Sequence, residues 1–210
     1  ADCYQIIFRG NSLASKIKSF CFKLYGTSYL VQTFQALLMN LFSSDNINKS
    51  YEVDLSRIVE FGADAGANSA NNNSGGSSNA ASSANSGGEL NDEFKQKVIQ
   101  ENRQNLMQLT QSVIDSIVHS TKSFPLHMRI VCHCLYQVVS QRFPQCGVQA
   151  VGTVIFLRFF NPVLVSPHEY GLVDVEPTPK MKRGLTLMCK ILQNIANNLV
   201  FTKEVHMKYF

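Results

Sequence analysis

The stretch from Val154 to Phe160 constrains the fold of this chain most, because it places one arginine inside an apolar helical pattern. Six of its seven residues are apolar, and the exception is Arg158. A helix that is apolar nearly all round is typical of one buried between neighbours. A guanidinium stays charged in proteins, and an unpaired buried one costs about 3–5 kcal/mol. We therefore expect a specific hydrogen-bond partner for Arg158. The residues alone do not distinguish a functional arginine from a purely structural one that binds backbone carbonyls. Asn161-Pro162 predicts the end of the helix, since proline disfavours helical backbone in the residue before it.

The composition fits one domain with a substantial core. The 210 residues are 45% hydrophobic and 16% charged, with a net charge of +4. This small excess lacks the dense basic stripe of a nucleic-acid-binding surface, so we expect no nucleic-acid partner. We identify no signal peptide and no apolar run near the roughly 20 residues of a transmembrane helix. We therefore expect a cytoplasmic protein with no direct membrane insertion.

The cysteines do not indicate a disulfide framework or a metal site. The six are Cys3, Cys21, Cys132, Cys134, Cys146 and Cys189. Most lie in apolar helical patterns without the spacing of a small disulfide-bonded fold. Residues 132–134 (Cys-His-Cys) resemble a metal cluster, but helical residues two apart point about 200° from each other. The two thiols cannot share one ion, so we expect reduced cysteines and no metal.

Residues 62–88 predict an insert without fixed structure. Every residue from Gly62 to Gly88 is glycine, alanine, asparagine, serine or aspartate. Such a segment buries too little apolar surface to offset its ordering entropy. A linker between two domains is the alternative, but residues 1–61 are short for an independent domain. Because a long insert costs little closure entropy, we expect residues 1–210 to form one domain with residues 62–88 looped out of it.

Hydrophobic periodicity predicts an all-α domain without a β-strand. The predicted helices are, in chain order, Leu13–Leu24 closed by Gly26, Leu30–Leu41, a short one at 54–59, a long one from a cap at Asn91 or Asp92 to His119, one opened by Pro125, the segment around Arg158, and one capped by Thr178 with Pro179 at its first position. The predicted inner faces include Phe94, Val98, Leu106, Leu109, Val113 and Ile117, then Val131, Cys134, Leu135, Val138 and Val139, and finally Leu185, Met188, Ile191, Leu192, Ile195 and Leu199.

Polar residues interrupt two of these helices. Asn102 and Asn105 lie in the inner stripe of the long helix, where they either face water or bind neighbouring backbone, and we favour the second. The last helix carries a polar stripe of Arg183, Thr186, Lys190, Gln193, Asn194 and Asn197. A solvated face is the ordinary explanation of such a stripe. A row of amides around one lysine also suits recognition of another protein.

Four blocks of sequence resemble Ras GTPase-activating domains of the neurofibromin type. They are residues 8–16 (FRGNSLASK), 133–144 (HCLYQVVSQRFP), 154–167 (VIFLRFFNPVLVSP) and 190–197 (KILQNIAN). The blocks occur in the family's order and span nearly the whole chain outside residues 62–88. One block alone is weak, whereas four in register are a specific signature.

The resemblance implies a helical domain whose shallow groove receives a GTP-bound Ras-type small GTPase. It assigns Arg9 to the arginine finger, whose permanent charge would stabilise the transferring phosphoryl group. It assigns Arg158 to the support of the finger loop. The residues that it places on the GTPase-binding surface are Asn161, Lys190, Gln193, Asn197 and, more weakly, Lys203.

The same resemblance implies an enzyme regulator rather than an enzyme, which acts in trans on the GTPase. It needs no cofactor of its own, since GTP and Mg²⁺ belong to the partner. We expect it to act as a monomer at the inner face of the plasma membrane, where Ras is anchored.

The sequence departs from the family pattern at several positions. Thr186 stands where neurofibromin-type members often carry a basic residue, and Phe160 and Val163 are bulkier than usual. From the resemblance we also expect the chain to be a catalytic core trimmed at both ends.

Two other functions compete with activation. A catalytically silent GTPase-binding scaffold would share the fold, but the presence of Arg9 argues against it. A module for membrane surfaces or polyanions would use Lys180, Lys182, Arg183 and Lys190, which are too few and too spread for strong anchoring. No nucleophile–base pair, phosphate loop or metal spacing indicates a self-contained enzyme.

Overall fold

The computed structural model of the chain describes residues 10, 13–43, 46, 48–58 and 87–210. Arg9, and residues 62–86 of the predicted insert, lie outside them. The described residues are mostly helical and contain no β-strand, which confirms the all-α prediction. The helices are α1 (Leu13–Leu41), α2 (Gly87–His119), α3 (Leu126–Arg142), α4 (Gly147–Ile155), α5 (Asn161–Val165) and α6 (Pro179–Asn197), with a π-helical turn (Phe156–Phe160) and 3₁₀ turns at Ser120–Ser123 and Val205–Met207. Residues 55–58 add one helical turn where a short helix was predicted.

Helix α1 is continuous, so the prediction that Gly26 separates two helices is wrong. Gly26 is buried in the middle of α1. A Cβ atom at this position would overlap the ring of Phe159 and lie 3.1 Å from the sulfur of Met128. The glycine therefore serves close packing against the π-helical turn and α3, and its cost in helix propensity, about 1 kcal/mol relative to alanine, is tolerated there.

Helix α2 begins earlier than the sequence predicts. It starts at Gly87, so Asn91 and Asp92 lie inside its first turns rather than capping it. Leu106, Leu109 and Val113 are buried as predicted, whereas Phe94 is 66% exposed. The predicted inner stripe therefore holds over the middle of the helix and fails near its start.

The two asparagines of α2 bind neighbouring backbone, as favoured from the sequence. Asn102 is 4% exposed and donates from Nδ2 to the carbonyl of Glu52 at 2.8 Å. Asn105 donates to the carbonyl of Ser50 at 3.2 Å. Residues 50–52 have no helical partner for these carbonyls, and the amides satisfy them. This pair of hydrogen bonds attaches the segment after α1 to α2.

The segment Gly147–Val165 runs through α4, the π-helical turn and α5, so the prediction that Asn161-Pro162 ends the helix is wrong. Asn161 keeps helical backbone angles (φ −60°, ψ −42°), and Pro162 lies in the first turn of α5. Proline normally breaks a helix because it lacks an N–H and its ring meets the carbonyl four residues earlier. A π-helical turn bonds five residues apart and is wider, which makes room for the ring.

This segment is less buried than predicted. Ile155, Phe156, Leu157 and Arg158 are only partly buried, so the helix is not enclosed on all sides. With 19 residues and a mean hydropathy of 1.6, it is long and apolar enough to cross a membrane, although the sequence analysis found no such run. The segment packs against α1, α3 and α6, as a core helix does. A core helix can have the same length and composition as a membrane-spanning one.

Aromatic rings from α1 and the π-helical turn form the centre of the core. The centroid of Phe159 lies 5.5 Å from that of Phe22, and Phe160 meets Phe34 edge-on at 5.6 Å. Tilted and edge-on pairs are favourable arrangements for aromatic rings. Phe160 and Val163 are each 2% exposed, so the core accommodates the bulk that distinguishes them from the family pattern.

Helix α3 and the cysteines are only partly as predicted. Val139 is buried, whereas Cys134 and Val138 are exposed. The described cysteines are free thiols, and among the described residues there is no group of three potential metal ligands. Burial raises the pKa of the Cys189 thiol to about 12, so this thiol stays protonated and unreactive at neutral pH.

Helix α6 begins and packs largely as the sequence predicts. Thr178 caps it by accepting a hydrogen bond from the Met181 N–H at 3.3 Å, and Pro179 occupies the first turn. Leu185, Met188, Ile191 and Leu192 are buried, whereas Ile195 is 55% exposed and Leu199 lies beyond the helix end. Helix α6 packs against α2, α4 and α5, which leaves its polar stripe on the outer side.

Candidate functional site

Arg158 joins the π-helical turn to the start of the chain. Its Nη2 donates a hydrogen bond to the carbonyl oxygen of Gly10 at 3.1 Å. The predicted specific partner of the guanidinium is therefore a backbone carbonyl 148 residues earlier in the sequence. Arg9 itself lies outside the described residues. The carbonyl group that Arg158 binds nevertheless belongs to Gly10, the residue directly after Arg9.

The hydrogen bond is built on an unusual local backbone. In a π-helical turn one extra residue is accommodated, so side chains after it are rotated relative to a regular α-helix. Phe159 and Phe160 use this geometry to fill the core, while Arg158 remains half-exposed. The arginine is thus carried by a well-packed element, and its guanidinium reaches the backbone at Gly10.

A cavity of about 290 Å³ lies beside Arg158, between α1 and the Gly147–Val165 segment. Apolar walls come from residues such as Phe22, Leu157 and Val163, and Lys23 and Tyr170 also line it. Arg158 therefore lines this cavity and also donates to the Gly10 backbone.

Lys190 and Lys203 lie together on the polar side of α6. Lys190 Nζ forms an ion pair with Glu204 Oε1 at 2.6 Å, with the two side chains 40% and 38% exposed. This hydrogen bond, followed by the nearby positive charges, lowers the pKa of the Glu204 carboxyl. Residues 200–204 and α6 enclose an open depression of about 400 Å³, and Lys203 at its edge is exposed.

Three predicted amides form one hydrogen-bonded chain beside that depression. Asn161 Nδ2 donates to the Cys189 carbonyl at 3.4 Å and to Gln193 Oε1 at 3.2 Å. Gln193 Nε2 donates to Asn197 Oδ1 at 3.3 Å. The same Asn197 oxygen accepts a hydrogen bond from the Thr153 hydroxyl at 2.7 Å. The structure therefore brings Asn161, Gln193 and Asn197 together.

Arg183 and Thr186 belong to the predicted stripe but not to this cluster. Arg183 binds the buried carboxylate of Glu52 with two hydrogen bonds, Nε to Oε2 at 2.7 Å and Nη2 to Oε1 at 3.2 Å. The Thr186 hydroxyl donates to the carbonyl of Lys182 at 2.8 Å, within its own helix. Arg183 is therefore committed to the fold, which weakens the hypothesis of a polyanion-binding face that counted it.

Sequence reasoning missed three residues that shape the site. Glu204 neutralises Lys190, Glu52 holds Arg183, and Thr153 binds Asn197. A polar residue inside the apolar pattern of α4 was a signal for Thr153. The two glutamates carried none, because Glu52 is 131 residues from Arg183 in the sequence and Glu204 lies beyond the end of the helix that carries Lys190.

Comparison with known proteins gives a consistent set of relatives. The family model for GTPase-activator proteins for Ras-like GTPases matches residues 1–197. The chain is 32% identical over 209 residues to the probable Ras GTPase-activating-like protein ngap of Dictyostelium discoideum, which covers 97% of this chain and 20% of that protein. It is 29% identical over 194 residues to human Ras GTPase-activating protein 2, which covers 91% and 18%. It is 25% identical over 203 residues to neurofibromin-A of Dictyostelium discoideum, which covers 93% and 19%. The chain thus spans about a fifth of the length of these relatives.

Proposed function

The chain belongs to the family of GTPase-activator proteins for Ras-like GTPases, and from this premise we propose that it accelerates GTP hydrolysis by a GTP-bound Ras-type GTPase. It acts in trans as a regulator and leaves the chemistry to the partner. The consequence of this activity is the inactivation of Ras signalling.

The catalytic contribution that we propose is an arginine finger at Arg9. Negative charge develops on the oxygens of the transferring phosphoryl group, and a fixed guanidinium stabilises it with a permanent charge and paired N–H donors. An arginine supplied in trans contributes roughly 10³ to 10⁵ in rate, a magnitude measured on Ras activators themselves and not obtained from this chain. That factor corresponds to about 4–7 kcal/mol of barrier.

The observation that carries this proposal is the hydrogen bond from Arg158 to the Gly10 carbonyl. A mobile finger would lose much of its advantage, because its ordering would have to occur with each reaction. A guanidinium carried by a well-packed segment and bonded to the Gly10 carbonyl, one residue after Arg9, limits that freedom. This arrangement explains why the apolar segment Gly147–Val165 contains an arginine.

We propose that the GTPase contacts the polar side of α6. Lys190, Gln193, Asn197 and Lys203 are all at least partly exposed there, and Asn161 supports the amides from α5. The ion pair of Lys190 with Glu204 lies on the same surface. Binding of an acidic partner would therefore have to share or displace the Glu204 carboxylate.

The remaining parts of the proposal follow from the mechanism. The domain needs no cofactor, because GTP and Mg²⁺ are bound by the GTPase. It acts as a monomer in the cytoplasm, at the inner face of the plasma membrane where its partner is anchored.

Single-turnover GTP hydrolysis by a Ras-type GTPase tests the proposal. The wild-type domain should accelerate hydrolysis by several orders of magnitude, and Arg9→Ala should abolish most of the acceleration while binding to the GTP form persists. Arg9→Lys is the matched control, since it keeps a charge but loses the planar fork. Binding without any acceleration by the wild type would instead identify a silent scaffold.

A further inference from the structure

We propose that Thr153 is a positioning residue that orients the side-chain amide of Asn197, so that Asn197 presents N–H donors to the GTPase. This inference rests on the function proposed above. It adds the direction of one hydrogen bond, in which Asn197 donates and the GTPase accepts. The ligand chemistry that fits is a hydrogen-bond acceptor on the partner, either a carboxylate or a backbone carbonyl.

The polarity of the amide chain is fixed from its inner end. The Cys189 carbonyl can only accept, so Asn161 must direct its Nδ2 towards it. The same NH₂ group donates to Gln193, which must therefore present Oε1 to Asn161 and Nε2 to Asn197. Asn197 is left to accept through Oδ1. One backbone carbonyl thus determines which way Asn161 and Gln193 face, while Asn197 is reached from Gln193 only by the longer of the two hydrogen bonds that its oxygen accepts.

Thr153 completes this arrangement in a way that distinguishes it from the other threonines. The four others in described α-helices, Thr27, Thr33, Thr110 and Thr186, each donate to the carbonyl four residues earlier. Thr153 donates across to α6 instead, at 2.7 Å from Asn197 Oδ1. Thr153 is 8% exposed, so its hydroxyl is held in place by packing. Its one proton is directed at the oxygen of a residue in the proposed binding surface.

Asn197 therefore has one end fixed and one end available. Its Oδ1 accepts from both Thr153 and Gln193, and no described residue accepts from its Nδ2. Asn197 is half-exposed on the same side of α6 as Lys190 and Gln193. An amide whose orientation is set before binding does not lose that freedom on binding. If the Asn197 amide were flipped, its oxygen would face the acceptor of the partner and no hydrogen bond could form.

The test compares Thr153→Val, which keeps the shape and removes the hydroxyl, with Thr153→Ser, which keeps the hydroxyl. The affinity is measured for a Ras-type GTPase loaded with a non-hydrolysable GTP analogue, and the single-turnover rate is measured at saturating domain. Loss of one orienting hydrogen bond should weaken binding roughly 3- to 10-fold with little change in the saturated rate. Thr153→Ser should bind within about twofold of the wild type.

Asn197→Ala, alone and with Thr153→Val, shows whether Thr153 acts through Asn197. In the Asn197→Ala background the threonine substitution should change the affinity less than about twofold, because nothing remains to orient. Wild-type affinity in Thr153→Val would overturn the inference, and so would equal losses in both backgrounds, which indicate a purely structural effect.

Asn197→Asp tests the polarity without altering α4. A carboxylate still accepts from Thr153 and Gln193 but presents oxygen to the partner. We expect binding at least as weak as that of Asn197→Ala, and wild-type affinity would refute the inference even if Thr153→Val failed to fold. Absence of any acceleration by the wild-type domain would refute the proposed activation instead, so the two failures are distinguishable.

Discussion

Removal of the Arg158 guanidinium should reduce the activating rate as well as lowering stability modestly. In Arg158→Ala the Gly10 carbonyl loses the donor at 3.1 Å, while the aromatic core around Phe159 and Phe160 remains. We expect the backbone next to Gly10 to be less restrained in this variant, so that the proposed finger at Arg9 is more often misplaced. The substitution therefore acts on the population of the catalytic conformation.

The magnitude follows from the exposure of the side chain. A hydrogen bond to a charged group contributes about 1.5–3 kcal/mol to stability, and Arg158 is half-exposed, which favours the lower value. About 1.5 kcal/mol corresponds to roughly a tenfold change in an equilibrium or a rate. We therefore expect the saturated single-turnover rate to fall at least about tenfold, with a loss of no more than about 2 kcal/mol in the free energy of unfolding.

The chain offers a matched control in Arg129. This exposed arginine also binds backbone carbonyls, those of Thr121, Lys122 and Phe124, but it does so at the start of α3. Arg129→Ala should lower the denaturation midpoint and leave the saturated rate unchanged. A rate within twofold of the wild type in Arg158→Ala, or equal rate losses in both variants, would refute the proposed role of Arg158.

Three further predictions concern the fold. Gly26→Ala should lower the free energy of unfolding by about 1–3 kcal/mol, because overlap with the Phe159 ring outweighs the gain in helix propensity; a denaturation midpoint at or above the wild-type value would contradict this. Glu52→Ala should cost about 3 kcal/mol, near the lower end for a broken buried pair because Arg183 is 21% exposed; a change below about 1 kcal/mol in urea denaturation would show the pair to be dispensable. Deletion of half of residues 62–86 should change the free energy of unfolding by only about 0.6 kcal/mol and leave the rate unchanged, and a large loss of activity would give the insert a function.

The parts of the fold that follow from local chemistry could be predicted from the sequence. Thr178 and Pro179 form a helix start through neighbouring atoms alone. Asn102 and Asn105 were recognisable because amides on an apolar stripe need partners nearby. A specific acceptor for Arg158 was predicted from its place in an apolar pattern, and the structure supplies one although the side chain is only partly buried.

The parts that depend on distant contacts could not be predicted in this way. Gly26 has the local character of a helix end and is instead a packing site for a ring 133 residues away. Pro162 predicts a helix end, but the wider π-helical turn before it makes room for the proline ring. Glu52 and Arg183 are 131 residues apart, so their ion pair depends on the folded arrangement of the chain. Periodicity carries no information about such pairings.

The central claim is that Arg9 stabilises the transition state, and its most direct test compares two binding affinities of the same domain. One is for a Ras-type GTPase with a non-hydrolysable GTP analogue, and the other is for the GTPase with GDP and a phosphoryl-transfer transition-state mimic such as aluminium fluoride. Catalysis by differential binding requires tighter binding to the mimic. We expect Arg9→Ala to lose that additional affinity and to keep most of the affinity for the GTP analogue. Equal losses for both ligands, or a preference for the mimic that survives without Arg9, would contradict the account.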